Sequence, residues 1–213
     1  MNSNIEQKFI GIEIGGTKLQ LVSGDSCATI LQSIRYSVDP SKGAVNIREK
    51  IQEGIEKLFF DNYIDAIGVG FGGPVDWKTG TIQLSHQVEG WANFNIVNWL
   101  HNITGKPIWV DNDANIAALA EAKHGSGKGY NNVFYITIGS GIGGGMVINQ
   151  KIYHGRIPGE AEIGHLRLDK NGITLESKCS GWAVNKKVKD YIQLNPSCRL
   201  AQLTVHNSIP DAA

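Results

Sequence analysis

Two stretches of the chain bring together residue types that move protons and hold hydroxyl groups. The run Val110-Asp111-Asn112-Asp113-Ala114-Asn115 sets two carboxylates and two side-chain amides where a short apolar run gives way to an alanine-rich one. Open α/β sheets bind ligands at such strand ends, and a carboxylate there can take the proton of a substrate hydroxyl while a neighbouring amide holds the substrate. Asp111 or Asp113 would equally well cap the helix that follows, and the local sequence leaves both roles open. Further on, Pro158-Gly159-Glu160-Ala161-Glu162-Ile163-Gly164-His165 and Leu175-Glu176 add three carboxylates and an imidazole in glycine-containing loops. Such side chains suit paired hydrogen bonds to vicinal sugar hydroxyls; a solvated acidic loop and a structural histidine are the competing reading.

Two glycine clusters carry a different chemistry. In Glu13-Ile14-Gly15-Gly16-Thr17-Lys18 the bare backbone N–H groups can turn toward an anion, Thr17 can donate a hydrogen bond, and Lys18 adds charge if it points inward. Alone this is an ordinary hairpin turn. A second cluster, Gly139-Ser140-Gly141-Ile142-Gly143-Gly144-Gly145, has five glycines in seven residues, a composition that weakens a sheet unless something must approach the backbone closely. Together the clusters suggest two phosphate-facing hairpins on opposite walls of a cleft. Neither is a Walker loop, and neither opens a helix as a dinucleotide fingerprint does.

These residues need elements to place them. Alternating apolar residues predict strands over 9–14 and 17–22 around the first glycine turn, and a third over 28–36. Helical spacing of Val45, Ile47, Ile51, Ile55, Leu58 and Phe59 predicts a helix over 44–60. A strand over 66–71 runs into Gly72-Gly73-Pro74, a turn-rich loop extends to about residue 90, and a helix over 94–102, a buried strand over 107–110 and a helix over 114–123 follow. The second half repeats the theme: a strand over 133–138, the glycine turn over 139–145 and a strand over 146–148. Beyond residue 152 the pattern is loop-like to about 179; a lysine-rich helix is expected over 182–194, and 195–213 has no strong periodicity. Strand, glycine turn, strand thus occurs twice, as in a duplicated α/β domain with a cleft between its halves.

Composition narrows the class. The 213 residues are 41% apolar, enough for a core, and 20 Lys plus Arg balance 20 Asp plus Glu. No global field favours nucleic acid or an anionic membrane. The cysteines, Cys27, Cys179 and Cys198, are odd in number and far apart, which suggests reduced thiols rather than a disulfide framework. The N-terminus lacks a signal pattern and no run has the length of a membrane span. A cytoplasmic protein without membrane or nucleic-acid partners is expected.

Read in order, EIGGTK at 13–18, GFGGPVD at 70–76, DNDANIAALAE at 111–121, IGSGIGGG at 138–145 and GEAEIGH at 159–165 closely resemble the ROK family of sugar kinases and sugar-responsive repressors. The resemblance implies an α/β, actin-like, ribonuclease-H-like two-domain fold, with residues 1–112 carrying the first phosphate hairpin and 113–213 the second hairpin and the sugar loops. It implies Asp113 as catalytic base, Asn112, Glu162, His165 and Glu176 as sugar contacts, and Gly15, Gly16, Thr17 and Lys18 as one phosphate site with Gly139, Gly141, Gly143 and Gly144 as the other. The implied reaction moves the γ-phosphoryl group of ATP, carried with Mg²⁺, to a hexose or N-acetylhexosamine; a homodimer is compatible with it.

Three departures from the family pattern shape the expectations. Many members carry a zinc knuckle of several cysteines completed by the histidine equivalent to His165, whereas Cys179 is the only cysteine near it; a structural zinc wants four ligands, so none is expected. DNA-binding members place a helix-turn-helix domain before the first strand, and eight residues precede Phe9, which disfavours a sugar-responsive regulator. Members usually run longer, so the second domain is expected to be incomplete, with the apolar side of helix 114–123 and part of strand 133–138 left uncovered. A truncated, catalytically impaired sugar-binding remnant is the rival of an active kinase.

Overall fold

The computed structural model describes residues 7–58, 64–85, 87–155 and 161–206, the side chains of 204–206 excepted. In chain order β1 (Lys8–Ile14), β2 (Lys18–Asp25) and β3 (Ile30–Ser37) lead into α1 (Gly43–Leu58) and β4 (Ala66–Phe71). Three two-residue strands, β5 (Val75–Asp76), β6 (Thr81–Ile82) and β7 (Phe94–Asn95), precede α2 (Ile96–Thr104) and β8 (Ile108–Asn112). The first sheet has the order β3-β2-β1-β4-β8, an antiparallel meander to which β4 and β8 add in parallel.

Strict alternation along β1 sends Ile10, Ile12 and Ile14 into the core, where Leu19, Leu21, Ile67, Val69, Phe71, Ile108 and Val110 join them from neighbouring strands. α1 covers that layer with Ala44, Ile47, Ile51, Ile55 and Leu58, a stripe at helical spacing. Each of the isoleucine and leucine side chains, fully buried, stabilises by roughly 1.5–3 kcal/mol. The opposite face of the sheet is chosen for chemistry. Glu13, Gly70 and Asp111 form one cross-strand row, and a Cβ at Gly70 would lie 3.6 Å from the Cα of Asp113, so the missing side chain makes room for the helix that follows β8.

That helix, α3 (Asp113–His124), begins at the end of the first sheet and packs on a second: β9 (Asn132–Ile138), β10 (Ile142–Ile148) and β11 (Lys151–Ile152), in the order β11-β10-β9. Ala118, Ala122 and Val147 are the buried centre of this smaller core. A 3₁₀ turn at Ile163–His165, α4 (Leu175–Cys179), α5 (Gly181–Leu194) and α6 (Arg199–His206) complete the described chain. No helix among the described residues is long and apolar enough to cross a membrane.

Several expectations change. The second glycine turn is shorter than seven residues: Gly143, Gly144 and Gly145 belong to β10 and pair with Thr137, Ile136 and Tyr135. A Cβ at Gly145 would lie 2.5 Å from the carbonyl oxygen of Ala114 and 2.8 Å from Cβ of Ala118, so these glycines let α3 settle directly on the sheet. The loop expected up to residue 90 holds β5 and β6, folded by Asp76, whose Oδ1 accepts from Lys78 N at 3.0 Å and Thr79 N at 3.3 Å; Val75, Ile82 and Trp91 are buried by it. β3 starts later than expected because Asp25 Oδ1 accepts from both Cys27 N and Thr29 N, each at 2.9 Å, which holds that stretch in a turn. α2 starts two residues late, capped by Asn95, which accepts from Asn98 N at 2.8 Å. The segments read as loop or aperiodic contain α4 and α6; α4 is too short for its periodicity to register, and Thr174 and Ser177 start it with a capping box. The apolar side of α3 is covered, while the outward row of β9, Phe134, Ile136 and Ile138, is exposed. Phe59 and Phe60 lie outside the described residues.

Candidate active site

The side chain that caps α3 is Asn112, not either aspartate. Its Oδ1 accepts from Ala114 N at 2.9 Å and Asn115 N at 3.3 Å, and its Nδ2 donates to the carbonyl of Gly73 at 3.2 Å. Both ends of the amide are therefore fixed in orientation. Asp113 occupies the first turn of α3, where its Oδ1 shares the Ala114 N–H with Asn112, at 2.8 Å. Its other oxygen faces glycine: a Cβ at Gly72 would stand 3.3 Å from Asp113 Oδ2 and 3.7 Å from the Cα of Gly15. The base candidate thus shares one small space with the first glycine turn.

Asp113 is exposed by residue surface area, while its carboxyl has protein crowded around it on the side of the first glycine turn. That desolvation, first, lifts its pKa above the usual carboxylate value; the Ala114 N–H bond pulls the other way, and the negative charges of Glu13 and Glu162 push it up again. A carboxyl with raised affinity for a proton is suited to general-base work. Glu13 was not singled out from sequence, although it opens the first glycine motif; its cross-strand row beside Gly70 is what brings it here.

In the first turn Gly15 N donates to Lys18 O at 2.9 Å and Val38 N to Thr17 O, also at 2.9 Å. Lys18 pairs with Glu13 at 2.9 Å, both side chains remaining exposed to solvent. The side chain of Gln87 lies over Gly16 in the space a Cβ would fill, a neighbour with no sequence signal. The second turn, Gly139–Gly141, is pinned from below: Gly139 N donates to Gly141 O at 3.0 Å, and Gly181 N and Trp182 N, at the start of α5, donate to the carbonyls of Gly139 at 2.8 Å and Ser140 at 3.2 Å.

A pocket opens beside Asn112. It is lined by Pro74, Val75 and Trp77, by Asp111, Asn112 and Asn115 at the β8–α3 junction, and by Gly144, His154, Ala161 and Glu162 from the second half of the chain. Of the expected sugar contacts Asn112 and Glu162 line it. Of the glycines expected at the second phosphate site, Gly144 lines this pocket and Gly143 packs toward Ala114, a Cβ there lying 3.6 Å from that residue's Cβ. His165, exposed in its 3₁₀ turn, and Glu176 are not among the lining residues; Glu176 Oε2 accepts from Ile142 N at 2.8 Å and so holds the second glycine turn. Glu160, with Pro158 and Gly159, lies outside the described residues. Among the described residues no three His, Cys, Asp or Glu converge on a point that would hold a metal ion. Trp77 and His154, which no sequence pattern marked, are brought in by the β5–β6 turn and by the loop after β11.

The sequence profile of the ROK family matches residues 9–207. A glucokinase of Halalkalibacterium halodurans is 34% identical over 170 residues, 77% of this chain and 51% of the relative. A glucokinase of Streptomyces coelicolor is 30% identical over 210 residues, covering 95% of this chain and 65% of the relative. Among solved structures, a ROK family glucokinase from Streptomyces griseus in complex with glucose and AMPPNP superposes with a TM-score of 0.78 at 30% identity, over 89% of this chain and 62% of that one. The chain therefore spans between half and two thirds of the length of these relatives.

Proposed function

The chain belongs to the ROK family and has its actin-like α/β fold, and from that premise we propose that it carries the acceptor site and catalytic base of an ATP-dependent sugar kinase. The acceptor is a hexose or N-acetylhexosamine bound in the pocket beside Asn112. Asn112 and Glu162, which line that pocket, meet its hydroxyls, and His165 and the second oxygen of Glu176 are the further contacts that membership of the family suggests. Asp113 takes the proton of the attacking hydroxyl; that oxygen forms the new bond to the γ-phosphorus as the bond to the β-phosphate oxygen breaks, and ADP leaves. Gly15 N and Gly139 N close the two turns from within, and the N–H groups of Gly16, Thr17 and Gly141 face the phosphates; Mg²⁺ carried with the nucleotide would offset the charge that develops.

The single observation that carries this reading is the place of Asp113: Asn112 is the N-cap of α3, and the second oxygen of Asp113 faces the first glycine turn. Steady-state phosphorylation of a panel of hexoses and N-acetylhexosamines tests it. Asp113→Asn keeps the side-chain size and is expected to lower kcat by ~10²–10⁴ while sugar affinity stays within a few-fold. Because the chain spans only 51% and 65% of two of its relatives, a second reading, sugar binding without turnover, is distinguished by calorimetry: sugar binds and no sugar phosphate forms.

A further inference from the structure

Asp111 stands at the end of β8, two residues before the base, and both of its oxygens are engaged. Oδ1 accepts from Asn112 N at 2.8 Å and from Asn115 Nδ2 at 3.0 Å. Oδ2 lies 2.6 Å from Nε2 of His154. With the two side chains only 13% and 21% exposed, water competes weakly for either. The imidazole in turn stacks on Trp77, ring centroids 4.3 Å apart and planes 18° from parallel, and Lys78 Nζ approaches the Trp77 ring at 5.6 Å. Three separate segments meet here: Trp77 from the β5–β6 turn, Asp111 from the first sheet, and His154 from the loop that leaves the second sheet.

We propose that His154 is a positioning residue for the acceptor pocket: clamped against Trp77, it holds the Asp111 carboxylate so that Asn112 and Asn115 line the pocket in fixed positions, and it ties the two sheets together beside it. The inference rests on the pocket being the sugar site. With Asp111 ionised, the ring nitrogen facing it carries the hydrogen, so His154 donates through Nε2–H. Without the imidazole, Oδ2 would be left without its partner in a site with little water, and a half-buried carboxylate does not stay so. It would turn away or draw the Asn115 amide after it, and the Asn112 N–H, bonded to the same carboxylate, would lose its acceptor, loosening the backbone from which the Asn112 side chain projects. Nothing in this chain of contacts touches the reacting atoms, which is why the expected effect falls on sugar affinity more than on the chemical step.

Calorimetric titration of the full chain with glucose, mannose, fructose and N-acetylmannosamine gives the test. For the sugar the parent binds best, His154→Ala is expected to weaken binding by about ten- to a hundred-fold, the loss that follows from removing the partner of a poorly hydrated carboxylate. His154→Gln, which keeps an N–H donor at similar reach, recovers most of it, and a change that acted only through general stability would show no such rescue. Asp111→Asn combined with His154→Ala costs little more than either alone, because both cut one contact. If the parent binds a sugar and His154→Ala binds it as tightly, the positioning role is overturned while the sugar site stands; if the parent binds none of the four, the sugar site itself falls and the inference with it. Should His154→Ala not fold, the ring of the parent decides: ¹⁵N spectra showing a protected Nε2–H support the pair, and an Nδ1–H tautomer or a freely exchanging ring contradicts it.

Discussion

Asp113 shows how one neighbour frees another. Its role was ambiguous in sequence because an aspartate at a strand-to-helix junction is as good a cap as it is a base. The ambiguity ends with Asn112, whose amide takes the cap and leaves the aspartate's second oxygen beside Gly72. The raised pKa has two consequences. Where the ionised base is required, the acid limb of the kcat profile should lie above the usual carboxylate value, and a profile flat down to that value would contradict the assignment. For stability the sign is also set: a carboxyl whose pKa rises on folding favours the folded state fully only below its unfolded value, and loses that contribution as pH rises through the folded one. Ionised Asp113 is thus unfavourable at neutral pH, so Asp113→Asn should melt at or above the parent's temperature at pH 7, the difference closing as the pH falls below the usual carboxylate value. Scanning calorimetry across pH checks this, and a large loss of stability at pH 7 would restore the capping role. The motif residues were legible because they cluster in the chain. Glu13 beside the base and His154 on Asp111 were not, since they arrive through strand register and a loop, and a lone histidine after a two-residue strand carries no pattern.

At the scale of elements, the glycines divide by what faces them. Gly145 faces backbone: a Cβ would meet the carbonyl oxygen of Ala114 at 2.5 Å and the Cα of Asn115 at 2.9 Å, neither of which can move without shifting the first turn of α3. Gly145→Ala should therefore cost at least ~2–3 kcal/mol, in the range of overpacked cores, and should also impair sugar binding through Asn112. Gly16 faces a side chain instead, that of Gln87, from its amide end to its Cβ at 2.9 Å. Gly16→Ala should displace that side chain, leave the melting temperature within a few degrees and weaken nucleotide binding instead. Urea denaturation of the two variants, beside ATP titration, separates the effects; equal destabilisation by both would show that the glycine rows share one structural duty. The strand–turn–strand repeat was readable from alternation, as were α1, α3 and α5. What alternation missed were elements fixed by polar side chains rather than apolar period: β5 and β6 around Asp76, the late starts of β3 at Asp25 and α2 at Asn95, and the capping box that starts α4. Glycine density in turn misplaced the start of β10, because a close helix approach and a turn ask for the same residue.

On the scale of the whole molecule, two cores of unequal size meet at α3, and the smaller carries an uncovered face. Phe134, Ile136 and Ile138 alternate along one side of β9, 46%, 48% and 70% exposed, and contiguous apolar rows on a strand favour association. The isolated 213-residue chain should self-associate as its concentration rises, and Ile136→Lys should suppress that without lowering the melting temperature; sedimentation showing a monomer at all concentrations would contradict this. The acceptor pocket sits away from that face, between the sheets, so association should leave sugar binding intact. The most direct test of the central claim is transfer of label from γ-³²P-ATP to hexoses and N-acetylhexosamines by the parent chain and by Asp113→Asn, assayed side by side. The prediction is a labelled sugar phosphate from the parent and a rate lower by ~10² or more from the variant. Equal labelling by the two proteins, or none by a parent that binds sugar, would contradict it.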